Sequence, residues 1–386
     1  MYNIKLLNKI SPSGLTKFPA SLYAYGEEVE NPDGILLRSA DMHSMELPES
    51  VKAIARCGAG VNNIPVDKCS EAGVVVFNTP GANANAVKEL IIAALLMSGR
   101  KIFPGMMWAQ ELKGKGDEVP ALVEKGKAQF VGPELKGKKL GVIGLGAIGG
   151  LVANAASALG MEIYGYDPFL SVDAAWNLSS NVIHAKSLKE IYENCDFITL
   201  HLPYNKETKG YINSQSIAQM KHGVRILNFS RGELVDDDDM LAALEEKQVY
   251  CYVTDFPNEK VLGNKGVIAL PHLGASTPES EDNCAEMAAD QMCDFLENGN
   301  ILNSVNLPNV SADRTAGCVR IGVIHKNSQG LISQISGGLG VNIENMTSKS
   351  KGDYAYTLFD LGAAVSQDIL DNMQKVDGVV RVMNFN

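Results

Sequence analysis

The sequence is short of the features that mark secreted, metal-binding and membrane proteins. Its seven cysteines are odd in number, are scattered and form no C-x-x-C pair, and the six histidines make no metal-ligand cluster with them. This pattern argues against a disulfide scaffold and against a metal site. No apolar run is long enough to span a membrane, and the N-terminal NIKLLNKI is strand-like with two lysines, unlike a signal peptide. We therefore predict a cytoplasmic protein with reduced cysteines, no metal and no membrane contact.

The sequence also has no excess of positively charged residues. The 386 residues carry a formal net charge of −11, which disfavours binding to nucleic acid and requires local basic groups for any anionic substrate. Hydrophobic residues make up 45% and charged residues 20%, the composition of a globular protein, and the length allows two or three domains. A small molecule is the partner that these totals favour.

The stretch from Lys138 to Asp167 predicts nucleotide binding. An apolar strand at 140–143 leads into the glycine turn Gly144 to Gly149, a helix with apolar residues at helical spacing follows, and a second strand ends at Asp167. A G-x-G-x-x-G turn between a strand and a helix, with an acid after the next strand, is typical of dinucleotide-binding folds. The alternative is a glycine turn in an α/β protein that binds no nucleotide.

Each part of this stretch has a physical role in holding a cofactor. Gly144 permits the tight turn, the missing side chain at Gly146 lets a pyrophosphate approach, and Gly149 lets the helix pack closely on the sheet. The helix N-terminus offers unpaired N–H groups to the phosphates. Asp167 can accept hydrogen bonds from both ribose hydroxyls, and its charge repels a 2′-phosphate. We therefore predict NAD and not NADP as the cofactor.

Residues 1–98 alternate between predicted strands and helices. The strand that begins at Gly34 ends in Arg38 and Ser39, and the next predicted strand is followed by the loop Cys57 to Asn63. Loops at the carboxyl ends of strands bind ligands in open α/β sheets. Arg38 is therefore a substrate ligand or a partner in a surface ion pair, and the loop glycines bind substrate or only turn the chain.

The alternation continues after residue 167. Four predicted strands lead into polar loops, which begin at His201-Leu202-Pro203, at Asn228 to Gly232, at Asp255 and at His272 to Gly274. Thr208 follows shortly after the first of these loops begins. The four aspartates Asp236 to Asp239 precede a helix, where acidic residues are stabilised by the dipole, so we predict capping and no metal site. Lys125 and Lys127 lie in a polar linking segment and form a solvated face or face the active site.

Three residues after strands in this region suit hydride transfer from an alcohol. His272 is the candidate base because an imidazole titrates near neutral pH. Glu259 beside it would hold the tautomer and favour the charged ring, and Arg231 can bind a 2-hydroxy acid carboxylate through its planar fork. The alternatives are a turn role for His272 and a structural ion pair for Arg231.

The last part of the chain predicts a small separate domain. From residue 317 to residue 386, apolar runs and helical patterns alternate in the order βαββαβ, over about seventy residues. Asn303 to Pro308 ends the preceding part, and a linker follows it.

Several motifs resemble one known family over nearly the whole chain. NFSRGELVD, DFPNE, PHLGAST, GLGAIG with Asp167, GAGVNNI and NTPGAN are similar to signatures of the D-isomer-specific 2-hydroxyacid dehydrogenases. The tail, VRIGVIHKNSQGLISQI with VNIENM and GDYAYTLFDL, resembles the serine-binding ACT domain found in that family.

The resemblance implies roles for particular residues. It implies a catalytic triad of Arg231, Glu259 and His272. Together with the strand-end loops, it implies NAD contacts at Gly144, Gly146, Ala147, Ile148, Gly149, Asp167, His201, Leu202, Pro203, Thr208, Phe229, Ser230, Arg231, Asp255, His272, Gly274 and Ala275. It implies substrate contacts at Arg38, Ser39, Ala59, Gly60 and Val61, and serine binding at a subunit interface near His325, Asn327 and Asn342.

Two segments depart from the family pattern. The family has aspartate two positions before the phenylalanine of DFPNE, where this chain has Thr254, and the acid here is Asp255. Asp255 therefore competes with Glu259 as the partner of His272. In the tail, the first helix is short and Gln329 replaces a proline.

We therefore expect an α/β protein with two Rossmann-like, doubly wound parallel-sheet lobes and a C-terminal βαββαβ ACT domain. The expected domains are 1–98 with 280–308 for substrate, 99–279 for NAD, and 317–386 for regulation. The favoured function is NAD-dependent oxidation of 3-phospho-D-glycerate, for L-serine synthesis, by a homo-oligomer (dimer or tetramer) with L-serine as effector. The alternatives are another D-2-hydroxyacid dehydrogenase, such as a glycerate or hydroxypyruvate enzyme, and an NAD-sensing regulatory protein on the same fold.

Overall fold

The computed structural model describes residues 1–385, which form two compact units. One unit comprises Met1–Asn83 together with the chain from Thr277 onward, and the other comprises Ala84–Ser276. We describe them in turn as the first and the second unit.

The first unit contains a five-stranded parallel sheet. Its elements in chain order are β1 (Tyr2–Leu6), α1 (Pro12–Leu15), β2 (Tyr23–Gly26), β3 (Gly34–Leu37), β4 (Ala53–Arg56), α2 (Val66–Glu71) and β5 (Val75–Phe77). The strand order is β2-β1-β3-β4-β5, and in this register Leu36 lies opposite Leu6 and Ala55. The predicted strand that begins at Gly34 and the predicted strand that precedes Cys57 are confirmed as β3 and β4, whereas β2 was not predicted because its side chains are mostly exposed.

The second unit contains a seven-stranded parallel sheet between helices. Its elements are α3 (Ala84–Gly99), α4 (Ile102–Glu111), α5 (Val119–Gly126), β6 (Lys139–Ile143), α6 (Ala147–Ala158), β7 (Glu162–Tyr166), α7 (Val172–Trp176), β8 (Val182–His184), α8 (Leu188–Asn194), β9 (Phe197–Leu200), α9 (Ser214–Ile217), β10 (Val224–Asn228), α10 (Asp237–Glu245), β11 (Val249–Thr254) and β12 (Val267–Ala269). The strand order β12-β11-β10-β9-β6-β7-β8 reverses between β6 and β9, which is the position where such sheets bind ligands.

Helix α3 belongs to the second unit. Its buried residues Val87, Ile91 and Leu95 share a core with Val142 of β6 and Leu227 of β10. The predicted boundary at 98/99 therefore differs from the observed one, because an apolar helix face is buried on the sheet that follows it. No single helix within residues 1–385 is long and apolar enough to cross a membrane, although α3 and α4 pass together by length and composition as a pair bent by 70°.

The chain returns to the first unit through a long helix. Its remaining elements are α11 (Pro278–Asn298), β13 (Val319–Lys326), α12 (Leu331–Gly337), β14 (Ile343–Lys351), β15 (Tyr354–Leu361), α13 (Gln367–Gln374) and β16 (Val379–Asn384). Thr277 caps α11 by accepting a hydrogen bond from the Ser280 N–H, Pro278 occupies the first turn, and Gly299 ends the helix with φ of 71°. The predicted βαββαβ order is confirmed, as an antiparallel sheet of order β14-β15-β13-β16.

Both faces of this antiparallel sheet contribute buried side chains. On one face, Val323 and Phe359 pack with Leu331 of α12 and Met373 of α13. On the other face, the side chains that pack into one core with β5 and α11 are those of Ile324, Tyr356, Leu358, Met383 and Phe385. The Phe385 ring lies 5.9 Å from the Phe295 ring of α11, centroid to centroid. The C-terminal sheet therefore shares a core with the first parallel sheet.

A buried ion pair also ties the C-terminal sheet to the preceding chain. Arg320 of β13 and Asp360 of β15 are each 1% exposed, with Nε and Oδ1 2.6 Å apart. The guanidinium also donates to the carbonyls of Asn298 and Ala312, and Asp360 accepts from Thr315. These bonds satisfy charges whose burial would otherwise be costly.

Candidate active site

The glycine turn after β6 has no room for side chains at two positions. Gly144 has φ of 90°, and a Cβ there would lie 2.4 Å from the His201 carbonyl oxygen. A Cβ on Gly149 would lie 1.9 Å from the Gly144 carbonyl oxygen. These two positions therefore require glycine, for the turn and for close packing of the first helical turn respectively.

Gly146 is different because it borders open space. It is the residue before α6, and a Cβ built on it would meet nothing within 4 Å. The two Asp167 carboxylate oxygens accept hydrogen bonds from the N–H groups of Leu145 and Phe169, both at 2.9 Å. This geometry leaves the N-terminus of α6 open to an anion, with a carboxylate beside it that can accept further hydrogen bonds. The residues therefore fit a dinucleotide.

The loop after β9 is held by its own side chains. His201 Nε2 lies 3.0 Å from Thr199 Oγ1, and burial lowers the pKa of His201 to about 3, so the ring is neutral. Thr208 donates from Oγ1 to the Pro203 carbonyl at 2.7 Å and accepts from the Asn205 N–H at 2.8 Å. In this structure these predicted cofactor residues shape the loop beside the glycine turn.

The loop after β10 presents Arg231. Ser230 donates from Oγ to the Leu200 carbonyl at 2.7 Å, and the Asn228 side chain donates to the Arg231 carbonyl at 2.8 Å. These bonds fix the backbone of Arg231, whose side chain is exposed and whose guanidinium carbon lies 5.8 Å from the centre of the Phe256 ring. The guanidinium donates from Nη1 to the Ser230 carbonyl at 2.6 Å, and no other hydrogen bond of this side chain is found within residues 1–385.

Asp255, directly after β11, is a buried carboxyl group without a complete set of partners. Its side chain is 2% exposed, and Oδ1 has no hydrogen-bond partner within residues 1–385. Burial raises the pKa of Asp255 to about 6, although the positive charge of Arg231 opposes the rise. A Cβ placed on Gly274 would lie 3.8 Å from Asp255 Oδ2, so the loop after β12 borders this carboxyl group.

His272 lies in the same cluster. Its ring centre is 4.6 Å from that of Phe256. Desolvation by its surroundings, followed by the positive charge of Arg231, lowers the pKa of His272. The ring is therefore neutral at neutral pH and able to accept a proton. Phe256 contacts both Arg231 and His272, and the sequence analysis did not select it. The feature that could have indicated it is an aromatic residue directly after the acid at the end of a strand.

Glu259 is not paired with His272. It is exposed, and its carboxylate makes no hydrogen bond or ion pair in the part of the chain that the structure describes. Its neighbours bind the start of α10, with Asn258 donating to Asp237 at 2.7 Å and Lys260 pairing with Asp238. The expectation that Glu259 raises the pKa of His272 is not met, since the pKa is lowered. The aspartates also cap α10 as predicted, with Asp236 accepting from the Asp239 N–H.

In the first unit, asparagine side chains form hydrogen bonds with the backbone of the loops that are predicted to bind substrate. Asn8 Oδ1 accepts the N–H groups of Arg38, Ser39 and Ala40 at 2.8–3.1 Å. The Asn78 side chain donates to the Ala59 carbonyl at 2.6 Å. These bonds fix the backbone of both loops.

Two arginines stand at the ends of β3 and β4. Arg38 forms an ion pair with Glu281 at 2.6 Å, which is the alternative that the sequence left open. Arg56, which the sequence analysis did not single out, donates from Nε to the Arg38 carbonyl at 3.0 Å, and a Cβ on Gly58 would lie 2.6 Å from its guanidinium. Of the two predicted lysines in the second unit, Lys127 pairs with Glu124 on an exposed surface.

The predicted regulatory residues differ in exposure. His325 is 1% exposed, and its ring nitrogens lie 2.9 Å from Thr357 Oγ1 and 2.8 Å from the Lys326 carbonyl oxygen. It is therefore a core residue with both nitrogens engaged. Asn327 and Asn342 are exposed, and Asn342 donates to Glu344 at 2.7 Å.

The part of the chain that contains the glycine turn and the cluster is similar to a known protein family. Residues 92–274 match the model of the D-isomer specific 2-hydroxyacid dehydrogenase NAD binding domain. Residues 92–274 therefore belong to the NAD binding domain of the D-isomer specific 2-hydroxyacid dehydrogenases. Within this dehydrogenase family, the matched segment is the NAD-binding domain, and it contains every residue of the cluster around Arg231 and His272.

Named relatives in the family cover different shares of the chain. D-3-phosphoglycerate dehydrogenase of Bacillus subtilis (strain 168) is 35% identical over 299 residues, which are 75% of this chain and 54% of the relative. The Haemophilus influenzae protein of that name is 29% identical over 375 residues, 92% of this chain and 87% of the relative. The chain thus spans about half the length of the first curated relatives it matches.

Solved structures agree with the fold. The NAD+-bound 3-phosphoglycerate dehydrogenase of Entamoeba histolytica is 29% identical, with a TM-score of 0.60 over 79% of this chain and 98% of that chain. A glyoxylate reductase from Paecilomyes thermophila is 26% identical, with a TM-score of 0.63 over 79% and 98% respectively.

Proposed function

We propose that this protein is an NAD-dependent D-2-hydroxyacid dehydrogenase that oxidises 3-phospho-D-glycerate to 3-phosphohydroxypyruvate, the entry to L-serine synthesis. The observation that carries the proposal is the cluster of Arg231, Asp255, Phe256 and His272 at the carboxyl ends of β10, β11 and β12. It lies at the same edge of the sheet as the glycine turn after β6.

The proposed reaction needs a hydride acceptor, a proton acceptor and a cation that binds the substrate's carboxylate. A bound NAD would supply the acceptor for the hydride that leaves the substrate's C2. Neutral His272 takes the hydroxyl proton as the carbonyl forms, and its lowered pKa keeps it in the accepting form. Arg231 binds the carboxylate and stabilises negative charge that develops on the carbonyl oxygen. Hydride and proton together account for the two hydrogens that the alcohol loses.

The geometry favours Asp255 as the acid that orients this pair. Asp255 is buried beside the Gly274 loop and is close enough to Arg231 for the two charges to interact. Glu259, the candidate implied by the family, is exposed and belongs to a segment held by α10. The further roles of the glycine-turn residues in NAD binding, and of Arg38, Ser39 and Ala59 to Val61 in substrate binding, are part of the same proposal.

The remaining expectations concern assembly and control. We propose a cytoplasmic homo-oligomer, dimer or tetramer, with the chain from residue 317 as an ACT domain and L-serine as its effector. The exposed Asn327 and Asn342 support an effector site at the domain surface, whereas the engaged ring of His325 supports only an indirect role. Serine titration of activity to millimolar concentrations tests this part separately.

The decisive experiment follows NADH consumption by the purified chain with 3-phosphohydroxypyruvate, hydroxypyruvate and glyoxylate. We expect the highest kcat/KM with the phosphorylated acid. A preference for glyoxylate would instead favour the second candidate, a glyoxylate or hydroxypyruvate reductase, which the 26% identical glyoxylate reductase motivates. NADH binding without turnover of any of the three acids would contradict both and favour an NAD-sensing protein.

A further inference from the structure

A polar pocket of about 460 Å³ lies in the first unit, between the C-terminal sheet and the segment after α11. Its walls include Ser350, two lysines and three asparagines, namely Lys349, Lys351, Asn78, Asn303 and Asn309. Asn303 takes the left-handed conformation, with φ of 56°, a conformation that asparagine tolerates better than most residues. The pocket is therefore rich in hydrogen-bond donors.

The sheet register directs both lysines toward this pocket. In the antiparallel pair β14 and β15, Lys349 lies opposite Tyr356 and Lys351 lies opposite Tyr354. Directly opposite residues share one face of a sheet. Tyr356 is buried in the core shared with the first parallel sheet, and Tyr354 packs against that core. Both ammonium groups are thus on the side of the sheet that faces the rest of the first unit.

The charge of the pocket is unusual for this chain. The sequence has 45 acidic residues against 34 lysines and arginines, yet the residues that line the pocket include two lysines and no carboxylate. Lys351 Nζ donates to the Ser304 carbonyl at 3.0 Å, whereas the Lys349 side chain makes no ion pair or hydrogen bond in the described residues. Two nearby ammonium groups without a counter-charge favour an anion, and amide donors can complete its hydrogen bonds.

One wall of the pocket is connected to the predicted substrate loop. The Asn78 side chain donates to the Ala59 carbonyl at 2.6 Å, and the N–H of Thr79 donates to the Gly58 carbonyl at 3.1 Å. An anion that contacts Asn78 therefore acts on the loop that contains Ala59, Gly60 and Val61.

We propose that this pocket binds a small oxyanion of the phosphate or carboxylate class and that the bound anion steadies the Ala59–Val61 loop through Asn78. The site is separate from the glycine turn and does not depend on the dehydrogenase activity proposed above. It gives the C-terminal sheet a direct means of sensing an anion next to the substrate loop.

Isothermal titration of the full-length protein with inorganic phosphate, and separately with acetate, at fixed ionic strength tests the proposal. We expect saturable binding of at least one anion, weakened about 10-fold or more in Lys349→Gln/Lys351→Gln, as the loss of two charge-assisted contacts implies. Lys349→Gln alone keeps the Lys351 bond to Ser304, so it tests the site in a variant with that contact intact. The matched control is Lys125→Gln/Lys127→Gln, which removes the same charge from an exposed segment.

Hydrogen exchange provides a second readout that does not require catalysis. Anion binding should slow exchange in residues 58–63 of the wild type and of the control variant, but not in the Lys349/Lys351 variant. Phosphate bound at the glycine turn would appear equally in all variants. The proposal is overturned if binding is the same in all variants, if neither anion binds, or if exchange in the loop is unchanged on binding.

Discussion

The two parallel sheets of this chain use different groups at the carboxyl ends of their strands. In the first unit, neutral amides of Asn8 and Asn78 complete the hydrogen bonds of the loops after β3 and β4. In the second unit, the loops after β10, β11 and β12 carry an arginine, a buried acid and a histidine, and the positive charge of the arginine acts on the pKa of the other two. Neutral amides hold a backbone without responding to pH, whereas coupled charged groups are able to exchange protons.

The largest expected effect comes from removing His272, the proton acceptor that we propose in the second unit. His272→Gln should lower kcat by roughly two to four powers of ten, because a positioned base contributes that much. NADH binding, measured by fluorescence titration, should be unchanged. His222→Gln is the control, since His222 is exposed and outside the cluster. Activity of His272→Gln within a factor of a few of the wild type would show that another group accepts the proton.

The next effect concerns cofactor choice. Asp167→Ala removes the charge that would repel a 2′-phosphate and the hydrogen bonds to Leu145 and Phe169. We expect the ratio of kcat/KM for NAD to that for NADP to fall about 10-fold or more. Steady-state kinetics with both coenzymes measure it, and an unaltered ratio would refute the role of this acid in the ribose site.

Breaking the amide network of the first sheet should affect stability. Asn8→Ala leaves the N–H groups of Arg38, Ser39 and Ala40 without their acceptor and should lower the free energy of unfolding by about 1–3 kcal/mol. Asn8→Asp keeps an acceptor oxygen and is the matched control. Urea unfolding of the three proteins checks the prediction, which fails if Ala and Asp variants are equally stable.

The raised pKa of Asp255 predicts a pH-dependent gain for Asp255→Asn. The wild type loses stability as pH rises from near 4, the unfolded pKa, through about 6, the folded pKa, because the buried carboxyl group must ionise. Asparagine does not ionise, so the stability difference between variant and wild type should grow by at most about 3 kcal/mol between pH 4 and pH 7. Thermal unfolding across that range measures it, and a constant difference would contradict the raised pKa.

The smallest effect decides which acid partners His272. The kcat/KM for oxidation should rise with pH through the lowered pKa of His272. A carboxylate partner raises the pKa of a histidine, so Asp255→Asn should move this limb down if Asp255 is the partner that we propose, and Glu259→Gln should not. If only Glu259→Gln moves the limb, the partner is Glu259 and our preference for Asp255 is wrong.

Sequence patterns predict the parts of this molecule that depend on short stretches of chain. The apolar runs predict the strands, and the strand, glycine turn and acid at residues 140–167 predict the cofactor turn, because each depends on neighbours in sequence. Sequence patterns do not reveal that Phe256 contacts both Arg231 and His272. Nor do they reveal that Asn258, next to Glu259, donates a hydrogen bond to Asp237 of α10. Such contacts depend on how distant loops meet.

The same reason explains two further features that the sequence does not predict. Arg320 and Asp360 are charged residues on strands, and nothing local indicates that both are buried together. The apolar residues of α3 predict a helix but not which sheet buries it. Period and composition predict that a face is apolar, whereas the partner of that face depends on the whole topology.

The doubly covered C-terminal sheet has a practical consequence for any attempt to isolate it. A chain cut before residue 317 would expose Phe77 and Phe295 to water, and the released fragment would expose Tyr356, Leu358 and Phe385. Each product would then carry a fresh apolar patch of the kind that promotes aggregation. The cut would also separate Arg320 from the carbonyls of Asn298 and Ala312, and Asp360 from the N–H of Thr315, because these three partners lie before residue 317. The antiparallel sheet and the parallel sheet of the first unit should therefore unfold in one transition.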